Sequence, residues 1–146
     1  MERKDFIKQC GVICMGGLAA AALLESCAGN HFASSKIDSN RLLVKKTEFI
    51  EVANGISKPR PYVLVRTEKL AFPVCIYLLN ENTYSALLME CTHKSCELNP
   101  QGNYLSCPCH GSEFNRLGEV QSPPAEMNLK NFKTTHDHEN VYVYLS

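Results

Sequence analysis

The sequence predicts an all-β fold, an antiparallel sandwich or barrel built from short strands. Three observations carry that expectation. Beyond residue 40 no stretch repeats its apolar residues with a 3.6-residue period. Short runs rich in β-branched and aromatic residues stand there instead. Turn signals punctuate them at close spacing.

Taken in chain order, the predicted strands are Leu42–Val44, Phe49–Val52, Tyr62–Arg66, Val74–Leu79 and Ser85–Met89, then Tyr104–Ser106, Glu113–Phe114, Phe132–Thr135 and Val141–Leu145. The turns between them are A-N-G at 53–55, K-P-R-P at 58–61, N-E-N at 80–82, N-P-Q-G-N at 99–103, S-P-P at 122–124 and H-D-H-E-N at 136–140. Glycine, proline and asparagine supply the backbone angles that turns require. Val141–Leu145 alternates with Tyr142 and Tyr144, so one of its faces packs inward.

The chain has 146 residues, 15 basic and 15 acidic, with 45% apolar residues. That length suits one domain. Charge balance persists without residues 1–26, which hold Arg3, Lys4 and Lys8 against Glu2, Asp5 and Glu25. No basic excess argues for nucleic acid or for an anionic lipid surface. Residues 1–26 read as an export signal or N-terminal anchor: a short charged start, then an apolar run of small residues from Cys10 to Leu24. R-K-x-F-I-K resembles a twin-arginine signal with Lys4 in place of the second arginine. L-E-S-C at 24–27 resembles a lipobox, which would make Cys27 the acylated first residue, although Glu25 departs from that pattern. As an uncleaved anchor, the run at residues 10–24 gives roughly 22 Å of helix, short of a ~30 Å hydrocarbon core. Either way the body is expected outside the cytoplasmic membrane, on the bacterial periplasmic side, where disulfides persist. Residues 27–40 are small and polar and read as a flexible tether, with the folded domain at 41–146.

Eight cysteines are many for this length, and four of them crowd together with two histidines. The motifs are C-T-H-K-S-C at 91–96 and C-P-C-H-G-S at 107–112. Each offers a soft sulfur and a borderline nitrogen ligand, and the N-P-Q-G-N turn can bring the two loops face to face. Two Cys and two His could also hold a structural zinc, but C-x-H with C-x-x-H is not finger spacing and leaves Cys96 and Cys109 over. A pair of disulfides is the remaining reading of the motifs.

Together the motifs resemble the signature of Rieske iron–sulfur proteins. The resemblance runs from about Leu87 to Leu129, with S-P-P-A at 122–125 similar to the family's third loop over the cluster. It implies a Rieske-type antiparallel β-sandwich with a small cluster-binding subdomain of two loops. It implies one [2Fe–2S] cluster, with Cys91 and Cys107 on the inner iron and His93 and His110 on the outer. Two imidazoles in place of two thiolates raise the potential to roughly −150 to +300 mV. Cys96 and Cys109 correspond to the disulfide that ties the loops in the quinol-oxidising, respiratory branch. Ser112 corresponds to a hydroxyl donor to a cluster sulfide, and Pro123 and Pro124 to a cluster-shielding turn.

Three positions depart from the family pattern. Phe114 stands where high-potential members carry a tyrosine that donates to a cysteine sulfur, which should lower the potential. Ser95 stands where glycine is common, which costs backbone freedom. Lys94 replaces an apolar residue that faces a cytochrome partner. The expected function is one-electron transfer in a membrane-associated respiratory chain, quinol:cytochrome c reductase-like. Its partner would be a membrane cytochrome or a quinol, with proton loss from the histidines coupled to the electron. The alternative is a ferredoxin-like donor to an oxygenase, or a small subunit of a periplasmic oxidase. A cluster-free lipoprotein whose stapled loops bind another protein is a third class. No substrate-pocket motif is visible, so the chain alone is not expected to catalyse a reaction. Cys75, in V-C-I-Y-L-L, reads as a buried small hydrophobe, His136 and His138 as a solvated turn, and Lys45–Lys46 as an exposed strand edge.

Overall fold

A computed structural model describes residues 29–146; the leader, Cys10, Cys14 and Cys27 lie outside the described residues. Fourteen strands make up the described chain: β1 (Ser35–Asp38), β2 (Arg41–Lys45), β3 (Ile50–Ala53), β4 (Ile56–Pro59), β5 (Tyr62–Val65), β6 (Val74–Asn80), β7 (Thr83–Leu88), β8 (Asn99–Pro100), β9 (Tyr104–Ser106), β10 (Glu113–Asn115), β11 (Val120–Ser122), β12 (Asn131–Phe132), β13 (Thr134–His136) and β14 (Asn140–Tyr144). One 3-10 turn, Lys46–Phe49, joins β2 to β3. The predicted all-β class holds. Among the described residues no helix is long and apolar enough to cross a membrane.

Two four-stranded sheets, ordered β1-β2-β14-β13 and β12-β7-β6-β5, form the sandwich. Leu42 and Val44 of β2 and Val141 and Val143 of β14 meet Val63, Val65, Val74, Ile76, Ala86 and Phe132 in one buried core. The alternation at 141–145 therefore places its valines inward and its tyrosines outward. The middle sheet is covered on its other face too. Leu64, Cys75, Tyr77 and Leu87 point away from the first core and join Met89, Leu98, Leu105, Phe114, Ala125 and Leu129 in a second. That second core lies under the third sheet, β11-β10-β9-β8. A strand buried on both faces reads as an unbroken apolar run, which accounts for V-C-I-Y in β6. Burial raises the Cys75 thiol and the Tyr77 phenol well above their ordinary values, so both stay protonated and Cys75 serves as packing.

Several boundaries differ from the sequence reading. Phe132–Thr135 is not one strand. Asn131–Phe132 pairs with β7 and Thr134–His136 with β14, so the chain changes sheets at Lys133. S-P-P at 122–124 begins inside β11, and K-P-R-P at 58–61 begins inside β4. A-N-G at 53–55 is a two-residue hairpin turn with Asn54 and Gly55 at φ of 52° and 75°, the left-handed pair such a turn demands. In the H-D-H-E-N turn, Tyr142 Oη and the Asn140 and Glu139 N–H groups donate to Asp137. Those donors hold its carboxyl down to about 2. Asp137 thus closes a turn, and His136 and His138, on either side of it in sequence, stand exposed.

The described part of the segment 27–40 is not a loose tether. Ser35–Asp38 pairs along β2, and Phe32 bridges Leu64 in parallel. S-K-I-D shows no apolar alternation because β1 lies at a sheet edge with both faces largely exposed; its pairing comes from backbone groups alone.

Gly118 sits at the turn between β10 and β11 with φ +85°, where a Cβ would meet Leu87 Cδ2 at 2.9 Å and Leu129 Cβ at 3.3 Å. A left-handed non-glycine costs about 1–2 kcal/mol, and overpacking a filled core about 1–3 kcal/mol. Gly118→Ala is therefore expected to destabilise the fold by about 2–4 kcal/mol in denaturant titration.

Candidate metal centre

β7 ends at Leu88 and the chain passes through buried Met89 into the first motif. Glu90 bridges Glu97, and Leu98 N–H donates to Met89 O (3.0 Å), which closes the base of the loop. A short β8–β9 hairpin, turning at Gly102 with φ +72°, carries the chain back to the second motif. β10 then leads away from it. Both motifs thus hang between paired strands at one end of the molecule.

Their backbones fold alike. In the first loop, Ser95 N–H donates to Cys91 O (2.8 Å) and Cys91 N–H to Cys96 O (2.9 Å). In the second, Gly111 N–H donates to Cys107 O (3.0 Å) and Cys107 N–H to Ser112 O (2.8 Å). The fifth residue of each loop is left-handed, Ser95 at φ +54° and Gly111 at φ +81°. Each loop is thus a closed six-residue ring with its first cysteine buried. The histidine occupies the third position of the first ring and the fourth of the second. The two imidazole ring centres lie 4.9 Å apart, nearly perpendicular at 85°. His110 is exposed and His93 half-buried.

The sulfurs divide into two classes. Cys96 and Cys109 are joined by a disulfide across the loops, with Cα atoms 6.5 Å apart, as the resemblance implies. Cys91 and Cys107 are buried and unpaired. The Cys107 sulfur lies within 4.8 Å of both disulfide sulfurs. Sulfurs already bonded to each other are not free metal ligands, so the unpaired thiols and the imidazoles are the available donor set. His93 Nδ1 is buried without any hydrogen-bond partner. A buried, unpaired ring nitrogen is costly, and a metal ion on that atom removes the cost. Two soft thiols and two imidazoles at one place, one nitrogen orphaned, suit a metal centre with mixed sulfur and nitrogen ligation.

The third loop closes over this pair from behind. Ala125 N–H donates to Ser112 Oγ (2.9 Å) at a buried position, and Thr92 Oγ1 donates to Met127 O (2.7 Å). Ser112 is fully buried and accepts this bond, so its own hydroxyl hydrogen stays free. Pro124 is half-buried and Pro123 exposed, immediately before the Ala125 tie. Phe114 is fully buried in the second core. Lys94 is exposed at the tip of the first loop. Sequence reasoning had no signal for Thr92, whose role depends on where Met127 lies.

Ser95 pays for its left-handed conformation, and Gly111 in the matching position does not. Ser95→Gly is expected to raise stability by about 1 kcal/mol. Thermal unfolding checks it; an unchanged or lower midpoint would contradict the backbone argument.

The Rieske [2Fe-2S] domain model matches residues 44–133, a span that contains both motifs and the third loop. The chain is 28% identical to the cytochrome b6-f complex iron-sulfur subunit of Synechococcus elongatus over 131 residues, covering 88% of this chain and 64% of the other. It thus spans less than two thirds of that relative's length. The subunit of the same description from Synechococcus strain WH7803 is 36% identical over 55 residues, 36% of this chain and 31% of the other. Among solved structures, the cyanobacterial plasma membrane Rieske protein PetC3 from Synechocystis PCC 6803 matches with a TM-score of 0.51 and 31% identity, covering 57% of this chain and 85% of that one. With the family match spanning well over half of its residues, the chain belongs to the Rieske [2Fe-2S] domain family, and its cofactor is a [2Fe–2S] cluster.

Proposed function

We propose that this protein transfers single electrons through a [2Fe–2S] cluster held by Cys91 and Cys107 on one iron and by His93 and His110 on the other. It does so as a membrane-attached subunit or carrier of a respiratory chain of the quinol:cytochrome c reductase kind. The observation that carries the ligand assignment is the donor set itself. Two unpaired buried thiols open two matching backbone rings, and the orphaned Nδ1 of His93 stands beside the His110 ring. The cytochrome b6-f subunits among the relatives and the loop-tying disulfide favour the respiratory setting.

When bound, the cluster supplies a one-electron couple, roughly −150 to +300 mV for this ligand type. The protein's residues set the rest. Burial of Cys91 and Cys107 keeps water from the thiolates. The Cys96–Cys109 disulfide holds the two rings in register. Ser112 keeps its oxygen on Ala125 N–H, which leaves its hydrogen to donate into the site and favour added negative charge. The exposed edge of His110 is the contact through which a partner exchanges the electron. The partner, a quinol or a membrane cytochrome, supplies any substrate chemistry, and the chain alone is not catalytic.

Phe114 and Lys94 favour a second reading, a ferredoxin-like donor to an oxygenase or a small subunit of a periplasmic oxidase. Phe114 is buried and carries no hydroxyl to donate to a cysteine sulfur, which lowers the potential. Lys94 gives the loop tip a charge that an apolar docking face would exclude. Attachment in either case rests on the leader, through acylation of Cys27 or as an uncleaved anchor, and places the domain on the periplasmic side.

Anaerobic reconstitution with iron and sulfide is expected to load about two irons per chain, with Rieske absorption and a reduced-state paramagnetic signal. His110→Ala should abolish that signal while the apo fold persists. A colourless chain that takes up only zinc would overturn the assignment. Phe114→Tyr is expected to raise the midpoint potential by restoring a donor to a cysteine sulfur; an unchanged or lowered value removes the argument for a low-potential role.

A further inference from the structure

The β3–β4 hairpin pairs with no other sheet, yet it carries three large apolar side chains in the open. Ile50, Val52 and Ile56 are 46%, 69% and 60% exposed. Directly opposed residues share a face, so Ile50 and Val52 lie with Ser57 and Pro59, while Ile56 lies with Ala53, Glu51 and Lys58. Both faces of the hairpin therefore present apolar groups near the Asn54–Gly55 turn. Single exposed apolar residues are ordinary, but three on one protruding hairpin mark a surface that meets something apolar. The foot of the hairpin is rigid, because Arg60 donates to the carbonyls of Glu48 and Ile50.

The chain arrives at that same foot. Tyr62 Oη donates to Asn30 Oδ1 (3.0 Å), and His31 Nε2 donates to Glu48 Oε2 (2.6 Å) in the turn leading into β3. Leu64 N–H donates to His31 O and Ala33 N–H to Leu64 O. Gly29 and Asn30 line one groove together with Glu51, Pro59 and Tyr62. From Asn30 back to Cys27, fully extended chain reaches only about 10 Å. Whatever holds the leader therefore holds it beside the hairpin.

We propose that the β3–β4 hairpin inserts its tip, Val52 and Ile56, into the interfacial layer of the lipid bilayer to which the leader attaches. The proposal rests on the reading of residues 1–27 as a membrane attachment. The occupant is lipid because the apolar run of the leader ends at Leu24, a few residues before Asn30 at the hairpin's foot. Leader and hairpin together make two points of contact, and two contacts limit the tilt of the domain on the membrane.

The chain has no tryptophan, so single tryptophans report local environment without interference. Val52→Trp and Ile56→Trp would each be placed in the full-length, cluster-loaded protein and mixed with phosphatidylethanolamine–phosphatidylglycerol vesicles doped with brominated phosphatidylcholine. Leu117→Trp, at an exposed position in the β10–β11 turn, is the reference. Both hairpin tryptophans should shift to the blue, lose most of their intensity to lipid brominated near the carbonyl end of its chains, and resist aqueous acrylamide, while Leu117→Trp behaves as in water. Protein that floats with vesicles while both hairpin tryptophans stay water-like, or while Leu117→Trp is quenched as strongly as they are, overturns the hairpin proposal alone. Protein that does not float with vesicles overturns the attachment reading and this proposal with it.

Discussion

The structure depends on a middle sheet that is buried on both faces. β5, β6 and β7 send Val63, Val65, Val74, Ile76 and Ala86 to one side and Leu64, Cys75, Tyr77 and Leu87 to the other. The first set closes the sandwich. The second is the floor on which the two Cys–His loops rest, since Cys91 and Cys107 belong to that same core. Burying each of the valines, leucines and isoleucines among them contributes about 1.5–3 kcal/mol, so the loops rest on a sheet that is itself well buried. A domain of about 100 residues has little core to spare. Here one sheet serves two cores, and the site is built into the second instead of being added at the surface.

On that floor the two loops use one backbone solution twice. Each closes a ring with the same pair of main-chain hydrogen bonds and turns at a left-handed fifth residue. The placement of the histidine differs, and so does that of the disulfide cysteine, sixth in the first ring and third in the second. The repetition leaves the first cysteine of each ring buried, with His93 half-buried and His110 exposed. The loops are then fixed by three ties of different kinds: the Cys96–Cys109 disulfide between them, the Ala125 bond to Ser112, and the Thr92 bond to Met127. A disulfide of this kind persists in an oxidising compartment, which agrees with the proposed periplasmic placement.

Much of this was legible in residues and spacing. The strand pattern of β2, β5, β6, β7 and β14 follows from β-branched runs and turn chemistry, and the paired Cys–His motifs identify the site. The parts that were not legible share one physical cause. β1, β4 and β11 are strands by virtue of backbone pairing with neighbours, and edge strands need no apolar alternation to pair. The split at Lys133 arises because two sheets compete for consecutive residues, a tertiary choice that no local propensity encodes. The docking of residues 30–34 likewise depends on Glu48, Tyr62 and Leu64, all distant in sequence. Polar and small residues read as a tether until the groups they bond are known.

That docking changes what a membrane attachment would mean. A flexible linker lets a redox domain sample many orientations and carry its electron over a distance set by linker length. Here the Phe32–Leu64 bridge, the His31–Glu48 contact and the Tyr62–Asn30 bond remove most of that slack on the domain side. Motion of the cluster would then require these contacts to open, at the cost of several hydrogen bonds of about 1 kcal/mol each. On the proposed reading, a domain held this way would present His110 at a fixed height and angle, and a redox partner would have to come to it. The charge at Lys94 fits that arrangement, because a partner that arrives by diffusion can be steered by polar contacts at the rim. Apolar docking faces suit partners already held together. The docking of residues 30–34 on the sandwich thus bears on both the proposed attachment and the choice of partner.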